Sequence, residues 1–248
     1  MSDLPEPIPA ATLILMRKAE GAPEILMMER AGHMAFAAGA LVFPGGRIEP
    51  QDEALGSRFA EADAAARIAA IRETIEETGI AAGLVPAPDA EAARRLRQDL
   101  AGGAAFGRAL EQLCLAPELE ALTPFARWCP NFRETRRFDT LFYLAEAPRG
   151  IKAQADEAEA VRAFWATAEA VLADVNAGRA HVIFPTRRNL ERLARFGSIE
   201  EARADASRHQ VQKITPWVEE RDGREWVCIP EDIGYPVTAE LLETARRR

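Results

Sequence analysis

Three short apolar runs, each followed by a turn sequence, precede a long stretch with no glycine or proline. That order points to a mixed α/β fold. The runs are Pro-Ala-Ala-Thr-Leu-Ile-Leu-Met-Arg at 9–17, Pro-Glu-Ile-Leu-Met-Met-Glu at 23–29 and Ala-Leu-Val-Phe at 40–43. Each has the length and composition of a strand, and Glu20-Gly21-Ala22 and Pro44-Gly45-Gly46 supply turns. Residues 57–78 are rich in Ala, Glu, Arg and Ile, which predicts a helix with Gly79 as its C-terminal stop. Residues 88–122 read as one or two polar helices interrupted at Gly102-Gly103, and 138–146 as an aromatic, alternating strand. Helix is expected over 156–178, around a buried Phe164-Trp165 pair, and again over 186–206. The tail carries a strand-like Trp226-Val227-Cys228-Ile229. With no repeat and no long linker, the expectation is one α/β domain with helical insertions.

Charge narrows the function. The 248 residues hold 31 Lys and Arg against 39 Asp and Glu, a net charge of −8. A nucleic-acid or anionic-membrane binder needs the opposite balance, although an acidic protein can bind phosphate compounds when cations screen its carboxylates. No apolar run reaches the roughly 18–20 residues of a bilayer span. The opening Met-Ser-Asp-Leu-Pro-Glu-Pro lacks a signal-peptide pattern. Cys114, Cys129 and Cys228 form no CxxC pair, and His33, His181 and His209 are scattered. A zinc site or disulfide scaffold is therefore not expected, and a reducing cytoplasm is.

The chemistry concentrates in Arg72-Glu73-Thr74-Ile75-Glu76-Glu77-Thr78-Gly79-Ile80. At 100° per residue, Glu73, Glu76 and Glu77 share one helical flank, and Ile68, Ile71, Ile75 and Thr78 take the other. A solvated acidic face normally intersperses Lys or Arg at i+4; here those positions are Glu77, Ile80 and Ala81. Three neighbouring carboxylates repel one another, and an all-oxygen set suits Mg²⁺ or Mn²⁺ better than zinc. Upstream, Phe43-Pro44-Gly45-Gly46 allows a tight turn and close backbone approach.

Together these residues resemble the Nudix box, Gly-x5-Glu-x7-Arg-Glu-U-x-Glu-Glu-x-Gly-U, where U is bulky and apolar. Gly46 takes the first glycine, Asp52 the position of the first glutamate, and Arg72, Glu73, Glu76, Glu77, Gly79 and Ile80 the second half. Nineteen residues separate Asp52 from Arg72, where the pattern has seven. The insertion leaves open whether Asp52 or Glu49 serves the box. The segment Leu26-Met27-Met28-Glu29-Arg30-Ala31, then Gly39 and Phe43-Pro44-Gly45-Gly46, resembles the motif of coenzyme A diphosphatases, with Ala35 where a second arginine is usual. The interrupted box, and Arg136-Arg137-Phe138-Asp139-Thr140, resemble the mammalian peroxisomal branch. The C-terminal Ala-Arg-Arg-Arg differs from a peroxisomal Ser-Lys-Leu address.

The resemblance implies a Nudix α/β/α sandwich with a mixed sheet, one domain over 1–248. Additions are expected at about 53–67 in the box, at about 85–128 and at about 180–248. It implies a hydrolase of a nucleoside diphosphate derivative that uses Mg²⁺ or Mn²⁺ held by Glu73, Glu76 and Glu77, with Arg72 orienting a glutamate. Arg30, Gly39, Phe43, Gly45 and Gly46 are the substrate-side candidates. Arg30 can fork onto a phosphate or simply pair with Glu29. Glu159 is a candidate base beside a plain reading as a helix cap. His33 and Arg136-Arg137 can meet a nucleotide or lie in solvent. The expected substrate is coenzyme A or an acyl derivative, with ADP-ribose or a dinucleotide as the alternative and a non-catalytic nucleotide sensor as a different class. Nucleic acid and membrane are not expected partners, and a homodimer is compatible with the helical extensions.

Overall fold

The computed structural model describes residues 5–31, 37, 39–131, 137–148, 150 and 160–247. In chain order the elements are β1 (Ile8–Arg17), β2 (Glu24–Arg30), β3 (Leu41–Val42), β4 (Gly45–Arg47), α1 (Pro50–Gly56), α2 (Ala64–Thr78), β5 (Leu84–Val85), α3 (Ala90–Ala101), α4 (Phe106–Gln112), β6 (Ala116–Pro117), a 3-10 turn (Leu119–Ala121) and β7 (Thr123–Trp128). They continue with β8 (Phe138–Glu146), β9 (Ala160–Thr167), α5 (Ala168–Asn176), α6 (Phe184–Leu193), α7 (Ile199–Arg208), β10 (Lys213–Ile214), β11 (Trp217–Arg221), β12 (Arg224–Cys228), β13 (Ala239–Leu241) and α8 (Leu242–Arg247).

An eight-stranded mixed sheet runs β10-β7-β8-β1-β2-β3. β1 divides its outer edge: Ala10, Ala11 and Thr12 pair antiparallel with β4, whereas Met16 and Arg17 pair with β2. Its other edge runs parallel to β8, and β9 lies antiparallel to β2. Alternation along β1 sends Ala11, Leu13 and Leu15 to a core shared with α2, α3 and α4. Ile14 and Met16 go to a second core with α5, α6 and α7. This is the α/β/α sandwich expected from the sequence.

Two expectations need correction. Residues 57–78 are not one helix, because Gly56 ends α1 and α2 begins at Ala64. A Cβ on Gly56 would sit 2.8 Å from the Ala65 amide nitrogen, so the glycine lets the end of α1 approach the start of α2. Residues 156–178 are not helical around Phe164-Trp165 either. Ala160–Thr167 is a strand whose Phe164 and Trp165 face Met27 and Leu26 of β2, and helix starts only at Ala168. The β-branched and aromatic residues there fit the pleated sheet better than a helix. The 85–128 addition does supply α3 and α4, but its end, β7, is a strand of the main sheet. No helix among the described residues is long and apolar enough to cross a membrane.

Candidate active site

Helix α2 is buried nearly all round, which explains its unusual polar residues. Ile68, Ile71 and Ile75 fill the first core. Thr74 and Thr78 are buried as well, their hydroxyls donating to the carbonyls of Ala70 and Thr74. Gly79, in the left-handed conformation, closes the helix by donating to the Ile75 carbonyl. Arg97 of α3 donates its Nε to the Glu76 carbonyl at 3.1 Å, a cation at the negative end of the helix dipole. Nothing in the box pattern pointed to Arg97, since it comes from the helical addition and is brought here by tertiary packing.

Arg72, 2% exposed, organises the centre. Its Nε and Nη2 donate to the two oxygens of fully buried Asp52 at 3.0 and 2.8 Å, a forked pair. Nη2 also reaches the Arg47 carbonyl at 3.0 Å. Nη1 lies 3.0 Å from both Glu76 Oε2 and Glu73 Oε1. Burial opposes the charge on Arg72, but Asp52, Glu73 and Glu76 more than offset it and hold the group above its ordinary value. Of the two carboxylates left open, Asp52 is the one that Arg72 contacts. Asp52 Oδ2 also accepts from the Glu49 amide at 2.9 Å, while the Glu49 carboxylate accepts from Gln51 at the exposed start of α1. The insertion follows Asp52 and loops out between α1 and α2, so it does not part the two halves of the box.

The glycines of β4 complete the arrangement. Glu77, 4% exposed, accepts from the Gly45 amide at 2.8 Å. A Cβ on Gly45 would strike the Ala11 carbonyl and Thr12, and one on Gly46 would enter the Glu73 carboxylate. Gly46→Ala is therefore expected to push aside the Glu73 carboxylate, the end of a flexible side chain, at a stability cost of about 1 kcal/mol or less. By displacing Glu73 it is also expected to lower turnover about a hundredfold. Thermal unfolding and steady-state kinetics on the one variant measure both.

Four carboxylates, Asp52, Glu73, Glu76 and Glu77, thus gather around one buried guanidinium and two glycines. As the side chains stand, no three acidic groups among the described residues form a ligand set for an ion. Arg72 holds Glu73 and Glu76, and the Gly45 amide holds Glu77, so rotation of these side chains is needed for all three to face one point. The donor chemistry nevertheless fits a hard divalent cation: the donors are all oxygen, negative charge is in excess, and the backbone lacks a Cβ where Glu73 lies. Burial raises the Glu76 carboxyl above its ordinary value, Arg72 opposes this, and Glu49 and Asp52 add to it. Its stability contribution is therefore fullest below the ordinary carboxyl value and is lost as pH rises through the raised folded-state value. In a chelator, Glu76→Gln should gain stability relative to the wild-type chain as pH rises from about 4 to about 7. Denaturant titrations across that range measure it.

The other candidates are more dispersed. Arg30 exchanges backbone bonds with Gly39 and Ala40, closing the turn between β2 and β3. Its Nε is buried without a partner among the described residues. Phe43, 4% exposed, belongs to the second core, so its ring faces packing and not an open surface. Gly39 lines a cavity of about 510 Å³ with Glu29, Leu41, Arg162, Asn176 and His181. Leu41 belongs to the second core, so this cavity opens on the face opposite α2. Glu159, His33 and Arg136 lie outside the described residues. Arg137 accepts from the Ile8 amide through its carbonyl and donates to Cys129 Sγ at 3.4 Å.

A split-edged mixed sheet, a buried catalytic-type helix and a glycine pair under its carboxylates define the Nudix hydrolase class, enzymes that cleave pyrophosphate bonds and generally use divalent metal ions. The family model of the NUDT19 Nudix domain matches residues 53–193, more than half of the chain, and the chain belongs to that family. A crystal structure of a Nudix hydrolase from Alicyclobacillus acidocaldarius is similar with a TM-score of 0.71 and 28% identity, over 80% of this chain and 96% of that one. The ADP-ribose complex of the Nudix domain of Shewanella oneidensis NrtR is 15% identical with a TM-score of 0.44, over 77% and 87%. At that level it carries no argument about ligands.

Proposed function

We propose that this chain is a diphosphatase of coenzyme A or an acyl derivative, releasing 3′,5′-ADP and a 4′-phosphopantetheine product, with Mg²⁺ or Mn²⁺ bound by Glu73, Glu76 and Glu77. The observation that carries the reading is the carboxylate cluster on Arg72 against the Gly45-Gly46 backbone. A cation bound there supplies charge neutralisation of the diphosphate and a bound water of lowered pKa. The chain's own part is to align. Arg72 ties Asp52 of α1 to α2, so helix and loop are held together while Glu73, Glu76 and Glu77 turn towards the cation. The bare backbone at Gly46 leaves room for the Glu73 carboxylate. Arg30, with its buried Nε, is the arginine for a substrate phosphate, and Glu159 is our candidate base.

Support for coenzyme A comes from the Arg30–Gly46 segment. The same reading takes 1–248 as one domain with three additions and the cytoplasm as its compartment, consistent with three free cysteines. It takes a homodimer as the assembly, for which exposed Trp217 and Val218 offer apolar surface. Product analysis with coenzyme A, ADP-ribose and NADH, with and without Mg²⁺, tests the function. Metal-dependent release of 3′,5′-ADP is expected from coenzyme A. Preferential cleavage of ADP-ribose or NADH would replace the substrate, and tight binding without turnover would favour a sensor.

A further inference from the structure

The sheet face turned away from α2 carries the cavity that Gly39 borders. β2 sends Ile25 and Met27 into the second core, and Glu29 continues that row. On β9, Arg162 continues the row of Phe164, which packs against the same core. Register sets Glu29 between Arg162 of β9 and Leu41 of β3, and these three line one wall of the cavity. The other wall is the C-terminal end of α5 and the turn that follows it. Gly178, left-handed at φ 69°, turns the chain out of the helix and donates to the Val175 carbonyl. The His181 carbonyl accepts from the Leu41 amide at 2.7 Å, which ties the two walls together. The enclosed volume of about 510 Å³ lies within the range of small-molecule sites, about 300–1,000 Å³.

The polar groups that line this cavity are engaged only in part. Arg162 places its Nε on Glu29 Oε2 at 2.7 Å; among the described residues that bond uses neither its Nη groups nor Glu29 Oε1. Arg179 sets Nε and Nη2 on one oxygen of Asp174 at 2.9 and 2.6 Å, and Nη1 takes no part. Asn176 Oδ1 accepts from Nη2 of Arg187, itself 11% exposed, at 2.9 Å. That bond fixes the amide and leaves its NH2 as a donor. His181 adds an imidazole with at least one N–H. Two guanidiniums therefore line the cavity with one carboxylate, and the donors outnumber the acceptors. Guanidinium N–H groups match phosphate oxygens, and a carboxylate oxygen accepts from a hydroxyl. The set is the complement of a phosphate on a hydroxylated body.

We infer that this cavity is a second binding site, for a small sugar phosphate, either free or as part of a nucleotide. The phosphate oxygens accept from the Nη groups of Arg162 and Arg179 and from His181, while the sugar hydroxyls meet Glu29 and the Asn176 amide. A monoester carries close to two charges near neutral pH, which two guanidiniums match. The site needs no divalent cation and lies on the face opposite the carboxylates of α2. It stands whatever substrate those carboxylates serve.

Calorimetry in a chelator, with ribose 5-phosphate, AMP and inorganic phosphate as probes, tests this without turnover. The wild-type chain should bind ribose 5-phosphate saturably, at about one per chain and about tenfold or more tighter than inorganic phosphate. Arg162→Met and Arg179→Met should each weaken it about tenfold, because a charge-assisted hydrogen bond is removed. Both side chains are more than half exposed, so the variants should melt with the wild-type chain. Glu77→Gln, on the other face, should bind as the wild-type chain does. Tighter binding of AMP would make the occupant a nucleotide; equal or weaker binding would make it the free sugar phosphate. No heat from either organic phosphate, or inorganic phosphate binding equally well, would overturn the site. So would unchanged affinity in both arginine variants, or a loss in Glu77→Gln. Binding that survives while no diphosphate compound is cleaved would support the site and count only against the diphosphatase reading.

Discussion

Arg72→Gln is expected to lose about 3–5 kcal/mol of stability and nearly all activity. The loss follows from what the guanidinium leaves behind. Asp52 is fully buried and has two of its contacts from Arg72. Without them it is a buried anion beside three other carboxylates, and the desolvation already spent on it has no return. Glu73 and Glu76 lose the donor they share, and the Arg47 carbonyl loses its partner. Arg72→Lys should recover only part of the loss. One ammonium cannot serve Asp52 through a fork and still reach Glu73, Glu76 and a backbone carbonyl. Denaturant unfolding of the two variants beside the wild-type chain gives the order wild type, Lys, Gln. Equal stability of all three would show that the buried cluster does not depend on this residue.

Glu77→Gln should act in the opposite sense, keeping the fold and losing the reaction. The glutamine carbonyl can still accept from the Gly45 amide, the 2.8 Å contact that seats β4 against α2. Burying an amide in place of a carboxylate also relieves repulsion among the acidic groups. What disappears is a charge, and in a site that works by charge stabilisation a single such loss costs about 10²–10³ in kcat. The variant should therefore melt at or above the wild-type temperature while turning over at a small fraction of its rate. Near-normal turnover would remove Glu77 from the set of working residues.

Where the sequence was informative, local chemistry and tertiary structure agreed. The flank of Glu73, Glu76 and Glu77, the stop at Gly79 and the Gly45-Gly46 turn all follow from helical spacing and backbone freedom. What escaped depended on partners distant in the chain. Phe164 and Trp165 become strand residues because β2 offers an edge for them, which no window around them records. Counting put Asp52 at the first glutamate of the box while the insertion kept Glu49 as its rival, and only the packing of α1 on α2 brings Asp52 to Arg72. Arg97, Arg127 and Lys213 are absent from any motif, since they meet their partners through helix packing and strand register. Phe43 and Gly39, substrate-side candidates by resemblance, are set respectively in the core and beside a cavity on the opposite face.

The central claim is that the carboxylates of α2 bind a divalent cation, and a titration of the purified chain with Mn²⁺, followed by calorimetry, tests it without any substrate. Saturable binding is expected in the wild-type chain. It should be weakened at least about tenfold in each of Glu73→Gln, Glu76→Gln and Glu77→Gln, each a loss of about 1.4 kcal/mol or more. No heat from the wild-type chain, or equal binding by all four proteins, would contradict the account.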